Sequence, residues 1–155
     1  MATAMSRDQM LNDFTNTGVV AALIGGFALS DFSSIKDVSG TMSCARAVVM
    51  FLATHLCTAS TISASLCYRA VNALDEGQAE TWSVEMSSLR LMVFALFAMG
   101  GVLYVVGVVF VGLSTHQALG WQVLFATVGA MCCMMLMGVA MLTRRTPKRS
   151  LVSSD

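Results

Sequence analysis

The first residue able to do chemistry is His55, in the run FLATHLCTAST, where an imidazole stands among apolar side chains and the hydroxyls of Thr54, Thr58, Ser60, Thr61 and Ser63. An ionisable group inside an apolar stretch is costly and is a functional hypothesis by default. A proton relay needs a carboxylate at similar depth, and the later apolar stretches hold none. The alternative is a neutral histidine hydrogen-bonded to another helix, which places His55 toward the first or third span. The second set is sulfur. Met131 and Met135, and Met137 and Met141, stand four apart in MCCMMLMGVAM. Thioethers on one helix face suit Cu(I), and they equally suit adaptable packing. Cys132 and Cys133 are adjacent and point in different directions on a helix. None of the five cysteines has CxxC spacing, so neither a zinc site nor a disulfide framework is expected. A Ser/His/Asp set, a phosphate loop and paired intramembrane carboxylates are all missing. The chain is expected not to be an enzyme and to need no cofactor or metal.

The elements that must position these groups follow from composition. The chain has 155 residues, 56% hydrophobic and 12% charged, and soluble domains carry about a quarter charged residues. This predicts an all-α integral membrane protein. Nine basic and nine acidic residues cancel, so nothing favours nucleic acid. A helix needs about 20 apolar residues to cross a bilayer. The charges divide the chain into four such stretches, about 14–32, 47–68, 91–115 and 117–143. They form a single domain of four transmembrane helices, the first short and the last two joined as a hairpin through STHQALG.

Between the second and third spans, RAVNALDEGQAETWSVEMSSLR is polar, with a turn expected at Asp75-Glu76-Gly77, flanks that extend the second and third helices beyond the membrane, and Trp82 at the interface. With four spans, this loop and both termini share one side. That side holds seven basic residues (Arg7, Arg69, Arg90, Arg144, Arg145, Lys148 and Arg149) against Lys36 and Arg46 on the other. Both termini are therefore expected on the cytosolic or equivalent side. The cluster TRRTPKR fits topology and contact with anionic lipid.

Within the first span, in TGVVAALIGGFALSDF, the stretch from Gly18 to Leu29 has the length of a signal-peptide core, and Ala28-Leu29-Ser30 resembles a cleavage site. Asp8 and Asp13 against a single Arg7 make a poor positive leader, so a retained span is expected. Gly18, Ala22, Gly26 and Ser30 recur every four residues and Ala21 and Gly25 widen the stripe, which predicts a smooth face for close helix packing.

Several local runs resemble the Orai calcium channels. GGFAL (25–29) is similar to a run in that family's pore helix. SCARAVVMFLATHL (43–56) resembles its second span, and GGVLYVVGVV (100–109) its third. RSLVS (149–153) is similar to a run after its fourth span. The resemblance implies a homo-oligomer in which six first helices surround a pore, with an acidic ring at the outer mouth and an apolar gate below. The family's glutamate position falls on Ser34, and the nearest acid is Asp31. The family's third-span glutamate is Gly107 here. Leu23, Phe27 and Asp31, spaced four apart, are then the expected pore-lining stripe.

Two further readings stand beside a cation channel subunit. One is a small non-catalytic subunit of a large respiratory or photosynthetic complex, and the other is a copper transporter. The expected partners are membrane lipids and either further copies or neighbouring membrane subunits.

Overall fold

The computed structural model describes residues 5–36, 38, 40–115, 123, 126, 127, 129–131 and 134. It is all-α, with no strand among the described residues. Among the described residues, four continuous helices follow in order: α1 (Arg7–Ser33), α2 (Thr41–Asn72), α3 (Glu76–Glu85) and α4 (Ser87–Thr115). At 1.5 Å per residue the 27, 32 and 29 residues of α1, α2 and α4 make rods of about 40, 48 and 44 Å.

Local signals start the helices. Ser6 caps α1 through a reciprocal box: its Oγ accepts from the Gln9 N–H, and its own N–H donates to Gln9 Oε1, both at 3.4 Å. Asp75 does the same for α3, accepting from the Gln78 N–H at 2.8 Å. Each box satisfies amide donors that a helix start leaves orphaned. The expected turn at Asp75-Glu76-Gly77 is therefore a helix start, and the polar loop holds the ten-residue α3. Met86 alone separates α3 from α4.

α2 lies in the middle, antiparallel to both α1 and α4. A methyl at Gly18 would stand 3.5 Å from Ala64 Cβ, and one at Gly25 3.1 Å from Cys57 Cβ. On the adjoining flank of the same α2 face, Gly100 meets Cys57 and Gly107 meets Met50. In both interfaces the close approaches recur seven residues apart, the spacing of left-handed helix packing. Ser60 Oγ, fully buried, donates to the Val93 carbonyl of α4 at 3.0 Å.

Bulky residues fill the two ends of this small-residue waist. Met10, Phe14, Cys67, Val71 and Val93 cluster at one end, and Ala28, Met50 and Ala53, flanked by Phe32, Leu103 and Tyr104, at the other. α2 and α4 are long and apolar enough to cross a membrane, and α1 does not reach the same apolarity. Of the expected fourth span, 117–143, the described residues are helical, and Gly129 is buried against Val109 of α4. Most of that span, with Cys132, Cys133, Met135, Met137, Met141 and the TRRTPKR cluster, lies outside the described residues.

Candidate functional site

The first helix is two-faced. Met10, Phe14, Gly18, Ala21, Gly25 and Ala28 are buried. The opposite face carries Val19, Leu23 and Phe27, with 55%, 56% and 58% of their surfaces exposed. Gly26 lies on that outer face, and a methyl there would meet nothing within 4 Å. Of the expected packing stripe, Gly18 faces α2, whereas Ala22 and Gly26 lie on the chain's surface. The intrachain contact instead passes through Gly18, Ala21, Gly25 and Ala28. The reason is the alternating four- and three-residue step of this packing, which turns away from a strict four-residue stripe.

Of the expected pore-lining residues, Leu23 and Phe27 lie side by side on the open face. Asp31 is half-buried, on the side of α1 that approaches α4. Ile24, seven residues earlier, marks the same side by approaching Gly101 of α4. A step of four residues advances 400°, so each member of the stripe drifts about 40° round the helix. By Asp31 the drift has reached the α4 side. Ser34, at the resemblance's glutamate position, lies just past the end of α1, where Arg46 Nη2 donates to its Oγ at 3.3 Å. Gly107 is buried against Met50.

The structure corrects the expected placement of His55. It lies on the outer surface of α2, away from both neighbouring helices. Its Nδ1 is 2.8 Å from the Phe51 carbonyl one turn earlier, and its ring stacks on Phe51 with centroids 4.0 Å apart. The carbonyl only accepts, so Nδ1 carries the proton in this contact and Nε2 is left as the outward nitrogen. Among the described residues His55 makes no hydrogen bond to another helix, because the buried line of α2 runs through Ala53 and Cys57, on the far side from His55.

A polar network that sequence reasoning missed ties the start of α1 to the α2–α3–α4 junction. Arg7 Nη2 donates to the Asn72 carbonyl at 2.8 Å and to Asn72 Oδ1 at 3.0 Å, which caps the end of α2. The Arg7 N–H donates to Glu76 Oε1 at 3.0 Å, and the Met5 N–H to Ser83 Oγ at 3.0 Å. Arg90 Nη1 donates to Met5 Sδ. Trp82 meets Phe14 edge-on at 6.2 Å. The legible signals were the two capping boxes, Ser6-x-x-Gln9 and Asp75-x-x-Gln78, which fix where these helices begin.

Asp13 stands beside this network. Partial burial of its carboxyl raises its pKa above the ordinary 3.8, and the charge of Arg90 pulls it part of the way back. The folded state therefore holds the Asp13 proton to higher pH than the unfolded chain does. Stability falls as pH rises through that window, and the penalty persists above it. Asp13→Asn is expected to raise the unfolding midpoint slightly at neutral pH. The gain should shrink toward zero as pH falls below 3.8, where both states of the parent are protonated. Thermal unfolding of parent and variant across pH checks this, and a gain that grows on acidification contradicts it.

Cys57 and Cys67 are buried free thiols, and Cys44 is exposed. Among the described residues no group of His, Cys, Asp and Glu gathers as a metal site. Met131 is exposed. What remains at this site is an uncovered apolar helix face, able to meet another protein surface or a lipid chain. No known family, curated protein or solved structure matches the chain.

Proposed function

We propose that the chain is a multi-pass membrane protein with four spans and both termini on the cytosolic side, and one subunit of an Orai-like homo-oligomer that conducts cations along α1. The observation that carries this reading is an inverted distribution of side chains. The waist of the bundle is glycine, alanine, serine and cysteine. The surface is Val19, Leu23 and Phe27 on α1, Phe51, Ile62 and Leu66 on α2, and Leu91, Phe94 and Met99 on α4. Water disfavours such a surface, whereas lipid accepts it and leaves small residues to bring backbones together.

Within that setting α1 is the helix least suited to face lipid alone. It is long enough to span but less apolar than α2 and α4, and half of it is uncovered by its own chain. Copies of α1 around an axis supply the missing cover. Leu23 and Phe27 then form a constriction that gates by dewetting, with Asp31 above it attracting cations. The competing reading is a non-catalytic subunit of a larger membrane complex. It is favoured by the half-buried position of Asp31 on the α4 side of α1, off the Leu23–Phe27 line. A symmetric homo-oligomer in mild detergent supports the channel, and a single copy among other chains supports the accessory role.

The functional test is flux into liposomes loaded with a divalent-sensitive dye. Phe27→Ser is expected to raise the leak, because a hydroxyl wets the constriction. Asp31→Ala is expected to reduce divalent flux. No flux from the parent and no leak from Phe27→Ser would reject the pore.

A further inference from the structure

An open groove of about 500 Å³ runs between α1 and α2, and no α4 residue lines it. That volume falls in the range of about 300–1,000 Å³ typical of small-molecule sites. Its recess exists because Gly18 and Ala64 bring the two backbones together. Phe14 and Val19 form an apolar wall. Two of the groove's four hydroxyls are already committed. Thr61 Oγ1 donates to the Cys57 carbonyl at 2.9 Å, and Ser65 Oγ to the Thr61 carbonyl at 2.9 Å. Thr15 and Tyr68 bring the other two, and Phe14, Gly18, Val19, Ala22 and Ala64 make the rest of the uncharged lining apolar. Its charge is all at one end. Arg69 is the only charged residue in the lining, in the last turn of α2. Arg7, Arg46 and Arg90 each donate a hydrogen bond within the chain, whereas Arg69 has no partner among the described residues. From Phe14 to Ala22 the groove extends about 12 Å along α1.

We propose that this groove seats an acyl chain of an anionic phospholipid, with the lipid phosphate paired to Arg69. The inference rests on the membrane reading above and is independent of the pore. A cation at the headgroup end of a long apolar recess matches an amphiphile with one negative head. The guanidinium offers a fork of donors that suits phosphate oxygens.

The full-length protein is first tested for resistance to alkaline carbonate extraction from membranes. Release by carbonate overturns the membrane reading and the lipid site with it. If the protein is retained, binding of photoreactive phosphatidylglycerol and phosphatidylcholine is compared in mild detergent. Phosphatidylglycerol is expected to label the parent preferentially. Arg69→Gln should weaken its binding by about tenfold and abolish the preference, and Arg69→Lys should restore part of it. Ser65→Phe, on the exposed wall of α2, should block labelling by both lipids while parent helicity and oligomeric state are kept. Equal labelling of the parent by the two lipids, or a preference surviving Arg69→Gln, overturns the lipid site and leaves the membrane reading intact. Efficient cross-linking of Ser65→Cys to a second copy also overturns it, by assigning the groove to protein.

Discussion

Gly100→Ala is expected to lower stability, although alanine in an open helix improves on glycine by about 1 kcal/mol. The added methyl would stand 2.5 Å from Cys57 Sγ, 3.2 Å from Cys57 N and 3.4 Å from the Ala53 carbonyl oxygen. The sulfur can rotate away, but the two backbone atoms cannot, so α2 and α4 must separate along the waist. Separation weakens the neighbouring contacts and strains the Ser60–Val93 hydrogen bond, which lies on the same interface. Overpacking of this kind costs about 1–3 kcal/mol, enough to outweigh the propensity gain. Gly100→Leu should exceed that range and prevent stable folding. Gly107→Ala provides the control. Its methyl would meet Met50 Cε at 2.6 Å and Sδ at 2.7 Å, both on a flexible side chain. It should therefore cost less than Gly100→Ala. A double mutant adding Cys57→Ala to Gly100→Ala should recover the part due to sulfur and no more. Unfolding in mixed micelles measures all four variants. Equal costs at Gly100 and Gly107, or full rescue by Cys57→Ala, would show that backbone proximity is not the controlling contact.

Length and apolarity made the long helices legible, because a low-charge chain divided by charged residues has few other solutions. α2 and α4 include the expected stretches 47–68 and 91–115 and extend beyond them. The flanks of the Arg69–Arg90 loop were expected to extend both helices, but not where they would stop, because apolarity marks where a helix can sit in lipid, while capping and neighbouring contacts decide where it ends. Asn72 ends α2 where Arg7, distant in sequence, donates to its carbonyl. The helix α3 was hidden for a related reason. Its Asp75-Glu76-Gly77 start reads as a turn when glycine is weighted, and as a capping box when Gln78 is weighted. The box dominates because it satisfies orphaned donors at the helix start.

The site was legible in residue type and poorly legible in direction. Leu23 and Phe27 share an uncovered face, as their spacing implies. Asp31 departs from it because a four-residue step accumulates rotation. His55 was expected inside because buried polar groups in membrane helices usually seek another helix. Its local partner, the Phe51 carbonyl, satisfies one nitrogen without any neighbour. A periodicity of four and one of three-and-a-half differ by a few residues over a single span. Gly18, Ala22 and Gly26 fit the first as well as Gly18, Ala21 and Gly25 fit the second. Only the partner surface on α2, with Ala64 and Cys57 seven apart, selects between them.

That selection yields the last prediction, which separates the fold of one chain from its assembly. Gly25 and Gly26 are neighbours in sequence, about 100° apart round the helix, and only Gly25 faces α2. A methyl at Gly25 would approach Cys57 Cβ at 3.1 Å and the Thr54 carbonyl oxygen at 3.8 Å, whereas one at Gly26 meets nothing within 4 Å. Gly25→Leu is therefore expected to push α1 off α2 and destabilise the monomer by about 3 kcal/mol or somewhat less. Gly26→Leu should leave the monomer intact and, through helix propensity, make it more stable by up to about 1 kcal/mol. If copies of α1 cover one another, the Gly26 variant should nevertheless assemble poorly, since its side chain projects beside Leu23 and Phe27 into the contact between copies. The measurement is a paired one: unfolding midpoint for the fold, and mass by light scattering in mild detergent for the assembly. A stable Gly26→Leu monomer with parental oligomer mass would place that face against lipid and remove α1 from the oligomer's centre. A Gly25→Leu variant as stable as the parent would overturn the α1–α2 packing itself. The expected pattern, one variant failing in fold and the other only in assembly, requires both faces of α1 to be in use.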